Sequence, residues 1–150
     1  MNLSGGCQCG AVRFRAEAVG RATICHCRMC QKAFGAAFGP LVSVKNEDLT
    51  WTRGAPKIFR SSNMVTRGFC ADCGTPLTYA NNPDSTEMAL GAFDDPNAVA
   101  PVLAFQPSQK VGWFDALTSL PSKELSGFEA MVSYQHPDHD TAEWPFPKHD

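Results

Sequence analysis

The sequence has no long apolar run, no run of basic residues and no extended amphipathic helix pattern. A membrane helix needs roughly 20 apolar residues in succession, and no segment approaches that length. Met1–Cys7 has neither the basic region nor the apolar region of a secretory signal. These absences favour a cytoplasmic protein without a membrane partner. The isoelectric point of about 6.0 also argues against a nucleic-acid partner.

Charged residues are few, at 19%, and they are unevenly distributed. Residues 1–83 carry ten Lys or Arg and four Asp or Glu, a net charge of +6, whereas residues 84–150 carry three and eleven, a net charge of -8. Most single Lys and Arg residues belong to solvated surface. Basic residues beside metal-binding thiolates would instead offset the charge of those thiolates or hold an anionic ligand.

Short alternating or β-branched segments predict many strands and few helices. The predicted strands are 11–16, 40–44, 57–60, 64–69, 76–79, 87–91 and 98–105, and the only predicted helical segment is Arg28–Phe34. A polar turn at 61–63 predicts a hairpin between two of these strands. We therefore expect a mainly β domain with short helical turns over residues 1–132.

Residues 133–150 are polar and rich in Pro, His and Asp, which predicts a loose C-terminal tail. Its histidines, His136, His139 and His149, are expected to be solvated rather than to bind a metal. Trp144 and Phe146 are the residues of the tail that could dock on the domain.

Seven cysteines fall into three groups, Cys7-Gln8-Cys9, Cys25-His26-Cys27-Arg28-Met29-Cys30 and Cys70-Ala71-Asp72-Cys73. A reducing cytoplasm and an odd number favour metal ligands over disulfides. The first and third groups together supply four thiolates, which saturate a tetrahedral Zn²⁺ and make a structural site. The middle group supplies three and leaves one position open, which is typical of a catalytic zinc. We therefore expect the domain over residues 1–132 to bind two zinc ions.

Spacing alone leaves alternatives open. One ion could take its ligands from the second and third groups, or His26 or a distant histidine could close the middle site. His26 lies between Cys25 and Cys27, so in an extended segment it should point away from their metal. A redox role for Cys70 and Cys73 would need a βαβ context, which the sequence does not indicate.

An open zinc held by three thiolates is a poor Lewis acid and favours a soft sulfur as its fourth ligand. We expect it to bind a small thiol, to deprotonate it and to present it to a small electrophile. Glutathione is the abundant thiol of a reducing cytoplasm, and Arg28 and Lys32 are candidates to bind its carboxylates. The alternatives are a thiol carrier without catalytic activity, a protein-interaction module, and a zinc or redox sensor. The sequence leaves the oligomeric state open, with a homodimer among the alternatives.

Three segments, Ser4–Phe14, Cys25–Lys32 and Phe69–Leu77, resemble the zinc motifs of the glutathione-dependent formaldehyde-activating enzyme family, which includes centromere protein V. Gln106-Pro107, Lys110–Trp113 and Leu120-Pro121 are similar to the C-terminal pattern of that family. The resemblance implies an Mss4-like zinc-binding β fold and a carbon–sulfur lyase that forms S-hydroxymethylglutathione from formaldehyde and glutathione. It also implies two sets of ligands: a structural zinc on Cys7, Cys9, Cys70 and Cys73, and a catalytic zinc on Cys25, Cys27 and Cys30.

Overall fold

The computed structural model describes residues 2–144, which form ten strands, one α-helix and several short 3-10 helices. The helix α1 is Arg28–Phe34. The strands are β1 (Leu3–Gly6), β2 (Arg13–Ala16), β3 (Ala22–Cys25), β4 (Gly39–Lys45), β5 (Leu49–Arg53), β6 (Lys57–Arg60), β7 (Thr66–Phe69), β8 (Pro76–Ala80), β9 (Ser85–Ala89) and β10 (Leu103–Phe105). The expected mainly β fold with short helical turns is confirmed.

The strands form two sheets that share one core. The smaller sheet has the order β1-β2-β5 and the larger has the order β10-β3-β4-β9-β8-β7-β6. All pairs are antiparallel except β10 with β3. Phe14 of the smaller sheet and Val42, Leu77 and Met88 of the larger are fully buried in a single cluster. The ring of Phe14 also packs edge-on against Phe93, with 5.1 Å between ring centroids.

Alternation along β4 gives the larger sheet two different faces. Val42 and Val44 point into the core. Leu41, Ser43 and Lys45 lie on the opposite face and line a cavity. The core therefore supports a sheet whose other face is available for function.

The predicted helix has the observed bounds, and strand 57–60 coincides with β6 in the predicted hairpin with β7. The predicted strand 98–105 is only partly correct, because Pro96–Val99 forms a 3-10 helix and β10 is three residues long. The structure adds β1, β3 and β5, which the patterns did not indicate. Within the described part of the chain, no helix has the length and apolar character to cross a membrane.

The described part of the predicted tail, residues 133–144, contacts the domain. His136 is buried, so the expectation that it is solvated is wrong, whereas His139 is exposed. The backbone N–H of His136 donates to the carbonyl of Gln8 at 2.7 Å, and the indole N–H of Trp144 donates to the carbonyl of Cys9 at 2.8 Å. The division of the chain at residue 132 stays a prediction, and Phe146 and His149 lie outside the described residues.

A glycine and an ion-pair network allow this docking. A Cβ on Gly10 would lie 2.2 Å from the imidazole of His136, so only glycine leaves room for the ring. Arg13 is buried and forms a two-point ion pair with Asp94 at 2.8 and 2.6 Å, and it contacts Asp140 at 2.9 Å. The basic first part of the chain thus pairs with the acidic second part inside the fold.

Candidate metal centres

Four cysteines from two distant loops form one cluster, which we call the four-sulfur cluster: Cys7, Cys9, Cys70 and Cys73. Their sulfurs all lie within 4.8 Å of one another. The sulfurs of Cys7 and Cys9 are 3.6 Å apart, and those of Cys9 and Cys70 are 3.8 Å apart. A tetrahedral zinc with Zn–S of ~2.3 Å places sulfurs about 3.8 Å apart. The cluster therefore has the donors and the spacing to hold a metal ion, and zinc fits it.

The two loops of this cluster use the same local conformation. Gly10 and Gly74 each follow a cysteine pair, and both have φ of +79°, which glycine adopts without steric cost. Their N–H groups donate to the carbonyls of Cys7 and Cys70 at 3.0 and 2.9 Å. These turns point each pair of sulfurs toward the other pair.

Three cysteines at the junction of β3 and α1 form the second cluster, the three-sulfur cluster: Cys25, Cys27 and Cys30. Their sulfurs also lie within 4.8 Å of one another. Cys25 ends β3, Cys27 caps α1, and Cys30 lies in the first turn of the helix. The Cys27 thiol accepts a hydrogen bond from the N–H of Cys30 at 3.3 Å, as a serine or aspartate cap would. A strand end followed by a capped helix therefore gathers these sulfurs locally.

The thiols of this cluster differ in acidity. Burial, with smaller contributions from the neighbouring Cys27 and Cys30, raises the pKa of Cys25 to about 12. Burial also raises the pKa of Cys30. Cys27 is buried in the same way, but the N–H of Cys30 and the charge of Arg67 hold its pKa below the ordinary value. A divalent cation would let all three ionise together, because a coordinating thiol loses its proton outright.

The four-sulfur cluster is similarly uneven. Burial opposes ionisation of Cys73, but hydrogen bonds that include the hydroxyl of Thr75, 3.1 Å from its sulfur, lower its pKa to about 6. Burial raises the pKa values of Cys9 and Cys70. The cluster thus combines one readily ionised thiol with neighbours whose pKa values are raised. A bound cation would favour ionisation of all of them.

His26 is buried but lies apart from the sulfurs. Its ring packs edge-on against Phe114 at 4.7 Å between centroids. Among the described residues, no histidine joins either cysteine cluster. The alternative in which His26 closes the middle site therefore has no support in the structure.

A cavity of about 890 Å³ opens beside the three-sulfur cluster, and all three of its cysteines line the cavity wall. None of the four-sulfur cysteines does so. The two clusters therefore differ in their access to a ligand. The four-sulfur cluster joins two loops away from the cavity, and the three-sulfur cluster faces a space that can hold a ligand.

Arg67 lines this cavity and also contacts the three-sulfur cluster. Its side chain is buried, and Nη2 donates to the sulfur of Cys30 at 3.4 Å. Nε donates to the hydroxyl of Ser61 at 3.1 Å. The guanidinium also lies over the ring of Tyr79, 5.0 Å from its centroid. The cluster thus has a fixed positive charge beside it, supplied by a residue 37 positions away in sequence.

Arg28 and Lys32, the predicted carboxylate-binding residues, are exposed on α1 and are not among the residues that line the cavity. Arg28 donates to the side chain of Gln31 at 3.2 Å. Their role stays a prediction. The cations that line the cavity are Arg21, Lys45 and Arg67, which sequence reasoning did not select because strand pairing, not proximity in sequence, brings them there.

Comparisons with known proteins identify a family and a similar fold. Residues 2–107 match the sequence profile described as glutathione-dependent formaldehyde-activating enzyme. Among solved structures, a crystal structure of a Rhodobacter sphaeroides protein is similar in fold, with a TM-score of 0.54 and 20% sequence identity, covering 67% of this chain and 98% of that one. At that identity the likeness concerns the fold alone. No curated protein sequence matches the chain.

Proposed function

Because the chain belongs to the glutathione-dependent formaldehyde-activating enzyme family, we propose that it is a zinc-dependent enzyme of the carbon–sulfur lyase type. It adds a small thiol, glutathione or a similar one, to formaldehyde or another small aldehyde. The proposed ligands are those of the two clusters: a structural zinc on the four-sulfur cluster and a catalytic zinc on the three-sulfur cluster. A cytoplasmic location is part of the proposal, since the cytoplasm keeps thiols reduced and holds glutathione.

One observation supports this assignment above the others. Cys25, Cys27 and Cys30 line the large cavity, whereas the four-sulfur cysteines do not. Three ligands leave a tetrahedral metal one open position, and here that position would face a space large enough for a tripeptide-sized ligand.

The proposed reaction is an addition that balances without an oxidant or a reductant. The S–H bond of the thiol breaks and an S–C bond forms at the carbonyl carbon. The π electron pair of the carbonyl moves to its oxygen, which takes up a proton, and the product is a hemithioacetal. When bound at the three-sulfur cluster, zinc would supply a position that favours the ionised form of the incoming thiol.

Two side chains of this protein assist by their charge and hydrogen bonding. Arg67 offsets the negative charge of the thiolates, because its guanidinium touches Cys30 and is shielded from water. Burial and the nearby thiolates raise the pKa of Tyr79, so its phenol stays protonated. In the proposal, Tyr79 and Arg67 are the cavity donors for the carbonyl oxygen as negative charge develops there.

The test compares the zinc-loaded wild type with Cys27→Ser and measures the rate at which glutathione consumes formaldehyde. Serine keeps the cap of α1, so the helix and the fold should survive while the soft ligand is lost. We expect the wild type to accelerate the spontaneous reaction and Cys27→Ser to return it to about the spontaneous rate. Met131→Ala, at a residue that is 69% exposed, serves as a control that should keep full activity.

Two results would contradict the proposal. The first is a full rate in Cys27→Ser, and the second is no acceleration by wild type that carries two zinc ions. Calorimetry with glutathione separates the alternative function, because binding without acceleration would assign the role of a thiol carrier.

A further inference from the structure

Five side chains form a continuous row across the larger sheet on its cavity face: Arg21, Ser43, Glu87, Tyr79 and Arg67. Ser43 pairs with Glu87, Glu87 with Tyr79, and Tyr79 with Arg67. Arg21 continues the row, because its carbonyl accepts the N–H of Ser43 at 3.1 Å. All five line the cavity. Charge along the row therefore runs from cation through carboxylate to cation.

Glu87 is the unusual member of the row. Its side chain is half-buried, and within residues 2–144 it makes neither a hydrogen bond nor an ion pair. Its neighbours on the row, Ser43 and Tyr79, present hydroxyl groups rather than charges. A carboxylate that is partly withdrawn from water and faces a cavity has an unmet preference for a cation or another strong donor.

Arg21 lies at one end of the row, separated from Glu87 by Ser43. Its guanidinium lies over the ring of Phe105, 5.5 Å from the centroid, and in the described part of the chain its N–H groups make no hydrogen bond. A guanidinium with free N–H groups is suited to a two-point contact with a carboxylate.

The spacing of Arg21 and Glu87 suits one small zwitterion. Two strand spacings separate their backbones, about 10 Å, and their long side chains shorten the gap between the charged groups. An ammonium and a carboxylate on a single carbon would fill that gap. Arg21 directly precedes β3 and Cys25 ends it, so the two residues are four positions apart, about 13 Å at ~3.3 Å per residue. A ligand that reaches both must carry its head group several bonds from its sulfur, which free cysteine does not.

We propose that Arg21 and Glu87 form a subsite for an α-amino acid head group, in which Arg21 binds the carboxylate and Glu87 binds the ammonium of the thiol substrate. The inference rests on the proposed function, which requires a thiol but not an amine. It makes Glu87 the residue that selects thiols carrying an ammonium group.

The test measures dissociation constants by calorimetry for two thiols that differ in one group. The probes are glutathione and deaminoglutathione, in which a glutaryl group replaces the γ-glutamyl group and the amine is absent. Their sulfurs and carboxylates are identical, so any contribution from the three-sulfur cluster cancels in the ratio. The wild type should bind glutathione about tenfold more tightly, which is typical of one charged hydrogen bond.

Two variants separate the roles of the two residues. In Glu87→Gln the ratio should fall to below about twofold, because the amide keeps the shape but not the charge. Arg21→Met should weaken both probes alike and keep the ratio, since both carry the carboxylate that Arg21 binds. Glu124→Gln, at an exposed carboxylate outside the cavity lining, is the matched control and should behave as the wild type.

Equal affinity of the wild type for both probes, or a ratio that survives in Glu87→Gln, would overturn the subsite. The rate assay distinguishes this failure from failure of the proposed function. Acceleration without amine discrimination removes only the subsite, and discrimination without acceleration removes only the enzymatic function. Absence of binding by either probe removes the subsite together with the thiol-binding role.

Discussion

Replacement of Arg67 with glutamine is expected to weaken metal binding at the three-sulfur cluster by about ten- to a hundredfold. Three thiolates and a divalent cation carry a net charge of -1, and Nη2 of Arg67 lies 3.4 Å from the sulfur of Cys30. At an effective dielectric constant of about 20, a unit negative charge about 5 Å away attracts the guanidinium by about 3 kcal/mol. Water that enters the variant recovers part of this energy, which leaves about 1.4–2.7 kcal/mol.

The assay is a competition for zinc against chelators of graded affinity, with the remaining metal counted per chain. The four-sulfur cluster is an internal control, because within residues 2–144 Arg67 contacts a sulfur of the three-sulfur cluster and none of the four-sulfur cluster. The effect should therefore be confined to one ion of the two. Arg60→Gln makes the same chemical change at an exposed position of β6 and should leave both affinities unchanged. Arg67→Lys should retain part of the affinity, because it keeps the charge but not the planar guanidinium.

The reasoning would be refuted by an unchanged zinc affinity in Arg67→Gln. It would also be refuted by an equal loss at both clusters, since that result would indicate general destabilisation of the fold rather than a local electrostatic effect.

Two further predictions concern the docking of residues 133–144. Asp94→Asn should lower the free energy of unfolding in urea by about 3 kcal/mol, because it breaks a buried ion pair with Arg13. Asp140→Asn should lower it by under about 1 kcal/mol, because that carboxylate is 39% exposed. Equal losses in the two variants would contradict this ranking. Acidification should also destabilise the protein, because burial lowers the pKa of His136. The stability that the neutral imidazole of His136 contributes to the fold is therefore present above pH ~6.5 and is lost as pH falls through the pKa of the folded state. Urea titrations at neutral and mildly acidic pH should show a smaller pH dependence in His136→Gln than in the wild type, and an identical dependence would count against this explanation.

The elements that were predictable are those in which local pattern and tertiary role agree. Arg28–Phe34 forms a helix because Cys27 caps it and Gly35 ends it in the left-handed conformation, and both signals are local. In β4 the β-branched Val42 and Val44 favour a strand and also fill the core. In β6 the residues Ile58 and Phe59 favour a strand, which pairs with β7.

The elements that the patterns missed depend on their partners. β1 has the sequence Leu-Ser-Gly-Gly, which has little intrinsic strand preference, and it forms a strand because β2 supplies its hydrogen bonds. The docking of His136 was also hidden, because a polar, Pro-rich segment gives no sign of the space that Gly10 leaves on a distant loop. In both cases the stabilising contact is remote in sequence.

The sequence by itself determined the donor types and their local grouping. Cysteines two or three residues apart must lie close together whatever the fold, and the geometry of a strand end and a helix cap then gathers Cys25, Cys27 and Cys30. Only the tertiary structure decided that the pair at Cys7 and Cys9 meets the pair at Cys70 and Cys73, and that Arg67 and Glu87 face the same cavity as the three sulfurs. The physical reason is strand register: pairing places residues from distant segments side by side, and a shift of one residue would turn each of these side chains to the other face of the sheet.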